Sequence, residues 1–404
     1  MNDVSNDMYL ISTNKDIDHN GKSSSNSKMS KKYSGKQVIK AGEKLLELIN
    51  REELKDNKEF ESAMDVLSYW RYSHESPLTE AVRVIEETTK KIETSAIFAK
   101  RLKRYVSIVN KLKRFKEMKL KNMQDIGGCR IIVSTPKKLT QVARALRKRP
   151  EFKSASGKIR FKDYIVNPKE DGYRGYHLVG QFKGADKEQR SIEVQLRTNL
   201  QHDWATALEI VDLFTGQKLK SNQGENDWMI FFKKVSEQFA IMETVHLFKA
   251  DDRTKRDEYK ERIRESDKAY ESLISTQMYA NKLNVVRNFE AYAHSLKVVD
   301  SRIKDSLFDG FALIEVNTIE KTVKSTLFEH ENTAQAEKEY ISAEKRATKE
   351  KGLVVALVST TAVGGIREAY PNYFADSTEF LKHLLIVTNT ETQKKRGFLS
   401  AIFG

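Results

Sequence analysis

Apolar residues at helical spacing characterise the first part of the chain. From Val38 they recur three and four positions apart, which predicts an amphipathic helix. A second helix runs through residues 64–70 and ends before Pro77, because proline has no backbone N–H to donate and clashes with the preceding turn. A third begins at Leu78, and the same spacing predicts a fourth over residues 95–121.

The period of the pattern then changes from that of a helix to that of a strand. Residues 129–133 form a short apolar run, and residues 176–182 and 191–197 are also typical of strands. A polar turn over residues 183–189 joins the last two, so an antiparallel hairpin is their simplest pairing. Because successive side chains point to opposite faces, the second of these strands has an apolar face and a polar face, which carries Glu193.

The rest of the chain is predicted to form a helical segment and then a small α/β unit. Residues from 203 to about 304 are highly charged and helical in pattern. The small unit has the order βαβα, and residues 384–387 are a candidate further strand. Its elements are a strand at 311–316, a helix at 337–349, a strand at 353–358 and a helix that ends at Tyr370.

Together these patterns predict an α+β protein, with a mixed β-sheet flanked by helices, then a helical connector and a small α/β domain. The first 35 residues are rich in Asn, Ser, Asp, Lys and Gly, which cannot bury enough apolar surface to offset the entropy of ordering. The expected boundaries are a disordered leader at 1–35, the sheet-containing domain at 36–220, the connector at 221–305, the small domain at 306–390 and a tail at 391–404.

Composition narrows the class of partner and the compartment. The 404 residues include 71 Lys and Arg against 57 Asp and Glu, and the net charge of +14 favours polyanions such as nucleotides, RNA or DNA. A single cysteine, Cys129, excludes an intramolecular disulfide framework and a multi-cysteine metal site within one chain. No apolar run is long enough to span a membrane, and residues 1–5 lack the start of a secretion signal. A cytoplasmic protein without a membrane partner is therefore expected.

A dense run of basic residues falls within the predicted fourth helix. Ten of residues 100–121 are basic and one is acidic. On a helix, Lys103, Lys111 and Arg114 would line one stripe, which suits a polyphosphate because several cations can contact its oxygens at once. An ordinary solvated basic face is the alternative.

Two carboxylates stand where they can meet this basic stripe. Asp125 precedes the first apolar strand, and Glu193 lies on the polar face of a later one. Such a pair suits Mg²⁺-dependent phosphoryl chemistry, because Mg²⁺ takes oxygen ligands and a carboxylate can act as base for an attacking hydroxyl. An unrelated surface position is the alternative for each.

The segment 168–177 combines groups that suit a nucleotide. Gly172 permits an unusual backbone angle, and Tyr173 offers a flat face on which a base can stack. Lys169 and His177 add polar or cationic contacts. A simple turn is the alternative for this segment.

Taken together, these residues resemble the synthetase domain of the RelA/SpoT family, the bacterial alarmone synthetases, over about residues 61–215. The resemblance rests on the order and spacing of several blocks rather than on any one of them. The blocks are Trp70-Arg71-Tyr72-Ser73-His74, Arg101-Leu102-Lys103, Asp125-Ile126-Gly127-Gly128-Cys129-Arg130-Ile131, Gly172-Tyr173 with His177, and Glu193-Val194-Gln195-Leu196-Arg197-Thr198 with His202 and Trp204.

The resemblance implies a nucleotidyltransferase-like synthetase fold that moves the β,γ-pyrophosphate of ATP onto a ribose 3′-hydroxyl, usually that of GDP or GTP. It implies that Asp125 binds Mg²⁺ and that Glu193 binds Mg²⁺ and helps to deprotonate the acceptor hydroxyl. It also implies roles toward the two nucleotides. Arg101, Lys103, Lys111 and Arg114 would hold the ATP phosphates, Tyr173 would stack on the acceptor base, Lys169 and His177 would contact acceptor phosphates, and Arg197 would support the strand face near Glu193.

Alternatives remain open for the acceptor substrate and for the activity of the protein. Asp171 stands where the family often has Asn, which puts an acid near the acceptor phosphates. One alternative is a toxic small synthetase that pyrophosphorylates the 3′ end of tRNA and blocks translation, which the basic surface would suit. Another is a catalytically inactive nucleotide- or RNA-binding regulator, although the presence of Asp125 and Glu193 argues against a loss of catalytic activity.

The small C-terminal domain is a candidate regulatory or partner-binding module. It would restrain the synthetase or sense a phage or cellular trigger, and a structural or dimerising extension is the alternative. The helical connector equally suits dimerisation, so a homo-oligomer stays open.

Overall fold

The computed structural model describes residues 32–49, 58–185, 187–215, 226–289, 310–317, 322–329, 332–350, 353–359 and 377–391. The chain begins with three helices, α1 (Gly35–Ile49), α2 (Lys58–Tyr72) and α3 (Glu75–Lys90). None of the helices in the described ranges is long and apolar enough to cross a membrane. The predicted leader lies outside the described residues up to residue 31.

A five-stranded mixed sheet follows, which confirms the predicted α+β class. Its two parallel neighbours are β2 (Gly127–Val133) and β5 (Gln189–Thr198), and the predicted hairpin of β4 (Tyr176–Lys183) with β5 is present. The edge strands β1 (Ile97–Leu102) and β3 (Arg160–Asp163) pair antiparallel with β2 and β4, giving the order β1-β2-β5-β4-β3.

The helix predicted over residues 95–121 is wrong in its first part. Residues 97–102 form β1, and helix α4 (Tyr105–Arg114) begins only after it. No glycine or proline separates the two elements. Lys100 and Arg101, two consecutive exposed residues of this edge strand, also interrupt the alternation of apolar and polar residues that indicates a strand. Lys103 therefore precedes the helix, where its backbone N–H donates to the carbonyl of Ile126 at 2.7 Å.

The two faces of the sheet differ as the pattern of β5 predicts. Ile192, Val194 and Leu196 have no exposed surface and pack in one core with α3 and α5 (Pro136–Lys148). Cys129 of β2 is buried in the same core, which raises the pKa of its thiol to about 12. The opposite face is polar and holds the candidate site, while α1, α2 and α4 share a separate core.

A group of further helices follows directly from β5. Helix α6 (Asn199–Thr215) shares an apolar core with α7 (Asn226–Thr244), α8 (Arg253–Arg264) and α9 (Asp267–Lys282). The predicted helical character of this segment is confirmed over these ranges. The core continues across the predicted boundary at 220, so α7 packs against the sheet-containing domain rather than apart from it.

The C-terminal unit has one strand more than predicted. Strands β6 (Gly310–Asn317), β7 (Thr322–Glu329) and β8 (Leu353–Ser359) form an antiparallel sheet in the order β7-β6-β8, with α10 (Thr333–Lys349) before β8. The strand predicted at 384–387 is wrong, because these residues belong to α11 (Thr378–Thr388), which packs in the core of α6 and α7. A short buried apolar run does not distinguish a strand from a helix. The helix predicted to end at Tyr370 and the tail from residue 392 lie outside the described residues.

Candidate active site

Most of the predicted site residues gather on the polar face of the sheet. The strand registers place Arg101 and Glu193 in one row, separated by a single residue of β2. Since neighbouring strands are about 4.8 Å apart, their backbones lie about 10 Å from one another. The next row holds Arg130, Gln195 and His177. This spacing suits a phosphate group held between the guanidinium of Arg101 on β1 and a cation bound by the carboxylate of Glu193 on β5.

Two lysines hold Asp125 in the loop before β2. Its Oδ2 lies 2.9 Å from Nζ of Lys103 and 2.8 Å from Nζ of Lys111. Two of the predicted phosphate-binding cations therefore converge, although Lys103 lies in the link before α4 and only Lys111 lies on the helix. Burial would raise the pKa of Asp125, but the two ammonium groups outweigh it and lower the pKa. Asp125 is thus ionised at neutral pH, as a metal ligand must be.

Asp125 and Glu193 fit the Mg²⁺ that the motifs imply. Oδ1 of Asp125 is buried and has no hydrogen-bond partner within the described ranges, so this oxygen is available to a cation. The negative charge of Glu193 raises the pKa of Asp125, an effect smaller than that of the two lysines. The described residues contain no group of three or more His, Cys, Asp or Glu that would hold a metal alone. One or two carboxylates suit Mg²⁺, which takes its other ligands from water and substrate phosphates.

Glu193 belongs to a closed ring of hydrogen bonds. Its Oε1 lies 3.1 Å from Nδ1 of His177, and its Oε2 accepts from Nε2 of Gln195 at 2.8 Å. Because a carboxylate has no proton to donate, Nδ1 of His177 carries the hydrogen, and Nε2 accepts from the Tyr173 hydroxyl at 2.6 Å. Arg197 closes the ring by donating to the Tyr173 hydroxyl at 3.1 Å and to Oε1 of Gln195 at 3.3 Å. Both oxygens of Glu193 are thereby fixed in direction.

The electrostatics of the ring favour one charge state. Burial would raise the pKa of Glu193, but hydrogen bonds from His177 and Gln195 and the nearby charge of Lys111 lower it to about 2. Burial lowers the pKa of His177 despite its contact with Glu193. At neutral pH, Glu193 is therefore an anion and His177 is a neutral imidazole.

Two cations lie over the aromatic ring of Tyr173, the tyrosine of this hydrogen-bonded ring. Nζ of Lys169 is 4.6 Å from the ring centroid of Tyr173, and Cζ of Arg197 is 5.0 Å from it. Trp204 contacts the same ring edge-on, with centroids 6.4 Å apart. Oδ1 of Asp171 accepts the backbone N–H of Tyr173 at 2.8 Å, so the acid that departs from the family's usual Asn stabilises the turn.

Helix α7 holds the turn that carries Tyr173. Gly172 has a φ of +90°, and a Cβ there would lie 2.9 Å from Cα of Lys233. The Ser236 hydroxyl donates to the carbonyl of Gly172, and Nε of Arg174 donates to Oγ of Ser236 at 3.2 Å. The unusual backbone angle predicted at Gly172 is confirmed. The close approach of α7, a helix of the predicted connector, leaves no room for a Cβ at this position.

The remaining predicted cations lie at the edge of the site. Arg101 is exposed at the end of β1, and Arg114 is exposed at the end of α4. Burial, with smaller contributions from the charges of Arg197 and Arg114, lowers the pKa of Lys169. These placements agree with nucleotide contacts but leave the assigned roles as predictions.

Sequence reasoning missed Arg130 and Gln195. Arg130 is buried on the polar face, and its Nε has no hydrogen-bond partner among the residues that the structure describes. Burial, with the charges of Arg197 and Arg101, lowers the pKa of Arg130 to about 9. An arginine inside the apolar run 129–133 is the signal that points to it. Gln195 shares a face with Glu193 by strand alternation, but its bridging contact depends on side-chain geometry.

Residues 100–210 match the family model described as "Region found in RelA / SpoT proteins". Two relatives from Bacillus subtilis (strain 168) are GTP pyrophosphokinase YwaC, 35% identical over 115 residues, and GTP pyrophosphokinase YjbM, 32% identical over 111 residues. Each match covers 26% of this chain, and 52% and 51% of the respective relatives. The chain thus spans about half the length of the relatives it matches.

Among solved structures, small alarmone synthetase 1 from Bacillus subtilis bound to its product pppGpp is similar, with 24% identity and a TM-score of 0.36. That match covers 43% of this chain and 93% of the synthetase. The region of the family match includes the converging lysines, both carboxylates and the Tyr173 turn. Residues 100–210 therefore contain the region found in RelA/SpoT proteins, as the motifs predict.

Proposed function

We propose that this protein is a Mg²⁺-dependent pyrophosphokinase that transfers the β,γ-pyrophosphate of ATP to the ribose 3′-hydroxyl of GDP or GTP. The observation that carries the proposal is the convergence of Lys103 and Lys111 on Asp125 beside Glu193. Transfer of a phosphoryl-type group depends mainly on positioning and on neutralising charge, which this cluster supplies. The names of the two Bacillus relatives support the class of reaction.

The donor side of the site provides the charges that ATP needs. Bound Mg²⁺ would neutralise the donor phosphates and hold them in place. Asp125 would ligate it through the oxygen that lacks a partner. Lys103 and Lys111 would then donate to phosphate oxygens instead of to Asp125, and Arg101 and Arg114 would bind from the edge.

The acceptor side orients the hydroxyl that attacks. A base that stacks on Tyr173 would displace Lys169 from the ring, and the freed ammonium group could then bind the acceptor phosphates. The 3′-oxygen forms a bond to the β-phosphorus of ATP, the bond between the α- and β-phosphates breaks, and AMP leaves. Glu193 accepts the proton of the hydroxyl, while His177 and Gln195 hold its carboxylate in the direction of attack.

The test supplies the purified protein with Mg²⁺ and ATP labelled at the γ-phosphate. GDP, GTP, ATP and bulk tRNA are offered as separate acceptors, with Glu193→Gln measured in parallel. Glu117→Gln, at an exposed position after α4, is the matched control for loss of one acid. We expect label on GDP or GTP in the wild type and in Glu117→Gln, and none in Glu193→Gln.

The other outcomes decide between the alternatives. Label on tRNA alone would contradict the proposed acceptor and support a toxic small synthetase. Absence of Glu193-dependent transfer to every acceptor would contradict the enzyme assignment and favour a binding protein. Circular dichroism of Glu193→Gln separates a loss of chemistry from a loss of folding.

A further inference from the structure

A cleft lies outside the catalytic row, the strand positions that hold Arg101 and Glu193. It encloses about 480 Å³ between the start of α1, the end of α2 and the end of the β4–β5 hairpin. None of the residues predicted for the active site lines it. Pockets for small molecules typically enclose about 300–1,000 Å³, so the cleft is large enough for a nucleotide.

Part of this cleft is cationic without a matching anion. Lys32 and Lys121 line it, and neither forms an ion pair within the described ranges. Lys121 lies against the first turn of α1, since a Cβ on Gly35 would be 2.7 Å from its Nζ. The start of a helix carries partial positive charge, so an ammonium group there is unfavourable unless an anion joins it.

The lining also contains an aromatic surface. Tyr33 and Tyr69 contact each other edge-on, with centroids 5.3 Å apart, and both line the cleft beside Trp70. Trp70 is 8% exposed, and Cζ of Arg190 lies 4.8 Å from the centroid of its ring. Aromatic rings suit a nucleotide base, because every base has a π-face that can stack on them.

We propose that this cleft binds a nucleotide, with its phosphates between Lys32, Lys121 and the first turn of α1 and its base against the aromatic surface. The lining carries three cations, Lys32, Lys121 and Arg190, and one acid, Glu188. Glu188 is already paired with Arg190, so it does not oppose the phosphates. Planar rings beside unpaired cations favour a base with phosphates over an inorganic anion alone.

The cleft lies next to the catalytic row without being part of it. Ser191 lines the cleft and shares the polar face of β5 with Glu193, two residues and about 7 Å along the strand. A nucleotide in the cleft is therefore an additional ligand near the site of transfer. Its binding does not depend on the proposed pyrophosphokinase activity.

The test counts nucleotide sites by isothermal titration calorimetry of the full chain. ATP and GTP are titrated separately, and inorganic pyrophosphate serves as a probe of the phosphate end. The cleft variant is Lys32→Ala with Lys121→Ala, both at exposed positions. Lys119→Ala is the matched control, because Lys119 is equally exposed but pairs with Glu43 and does not line the cleft. Lys111→Ala weakens the catalytic site alone.

We expect the cleft variant to lose one class of nucleotide site, with affinity falling about tenfold or more, because each lost cation removes a charge-assisted hydrogen bond. Lys119→Ala should bind as the wild type does, and Lys111→Ala should keep the cleft site. Unchanged stoichiometry and affinity in the cleft variant would overturn the proposal. Pyrophosphate binding as tightly as ATP and GTP would overturn the assignment of a nucleotide. A protein without transferase activity that still shows this pattern would contradict the proposed function and support the cleft site.

Discussion

Replacing Gly172 by alanine tests whether α7 positions the Tyr173 turn. The new methyl group would lie 2.9 Å from Cα of Lys233 and 3.1 Å from Cβ of Ser236, and the first of these atoms belongs to the backbone. Gly157 is a matched control, because it has a φ of +76° and no atom within 4 Å of an added Cβ. An alanine at positive φ costs about 1–2 kcal/mol at either position. Overpacking adds about 1–3 kcal/mol at Gly172 alone.

The assay combines thermal unfolding with steady-state kinetics of label transfer. Since each 1 kcal/mol lowers the melting temperature of a domain of this size by about 2–4 °C, Gly172→Ala should melt several degrees below Gly157→Ala. Gly172→Ala should also raise the KM for the guanosine acceptor. It should leave the KM for ATP nearly unchanged, because the donor cations lie on β1, on α4 and in the link between them.

Two results would refute this reasoning. Equal losses of stability in the two variants would mean that α7 tolerates the extra methyl group. An equal rise in both KM values would mean that the turn does not act on the acceptor alone.

The remaining predictions concern the same network. Ser236→Ala removes the hydrogen bond to the Gly172 carbonyl and should cost about 1 kcal/mol in unfolding experiments, with a smaller rise in acceptor KM than Gly172→Ala. The pKa of Glu193 falls from 4.5 to about 2 on folding, so the ionised carboxylate stabilises the folded protein above pH 4.5. In acid unfolding experiments, the wild type should lose this stabilisation between pH 4.5 and 2, whereas Glu193→Gln should show no such loss. His177→Phe removes a hydrogen bond to Glu193 and should raise the pKa of that carboxyl, which would move the acid limb of the activity profile to higher pH. EDTA should abolish transfer and added Mg²⁺ should restore it, and Asp125→Asn should need more Mg²⁺ for half-maximal rate.

The sequence was most informative where one local period decides the structure. The alternation of β5 separates Glu193 from the buried face, because a strand turns successive side chains to opposite sides. The position of the converging lysines, by contrast, depends on an element boundary that the local pattern does not reveal. Lys103 and Lys111 do meet at Asp125, but the break between β1 and α4 carries no glycine or proline that would reveal it.

Contacts between distant segments account for what the sequence did not reveal. Ser236 lies 64 residues from Gly172, and no local pattern indicates that α7 approaches the turn. The ring around Glu193 likewise depends on rotamers of side chains from two strands and a turn. Arg130 was overlooked because an apolar run predicts a core strand, and the charge it carries becomes meaningful only when the neighbouring strand is in place.

The buried position of Cys129 makes this chain suitable for site-specific labelling. It is the only cysteine in the sequence, and a thiol with a pKa of about 12 inside the sheet core is scarcely nucleophilic near neutral pH. A cysteine introduced at an exposed position would therefore react with maleimide probes without removal of the native residue. Paired labels on α7 and on the Tyr173 turn would report their separation in solution as each nucleotide is added.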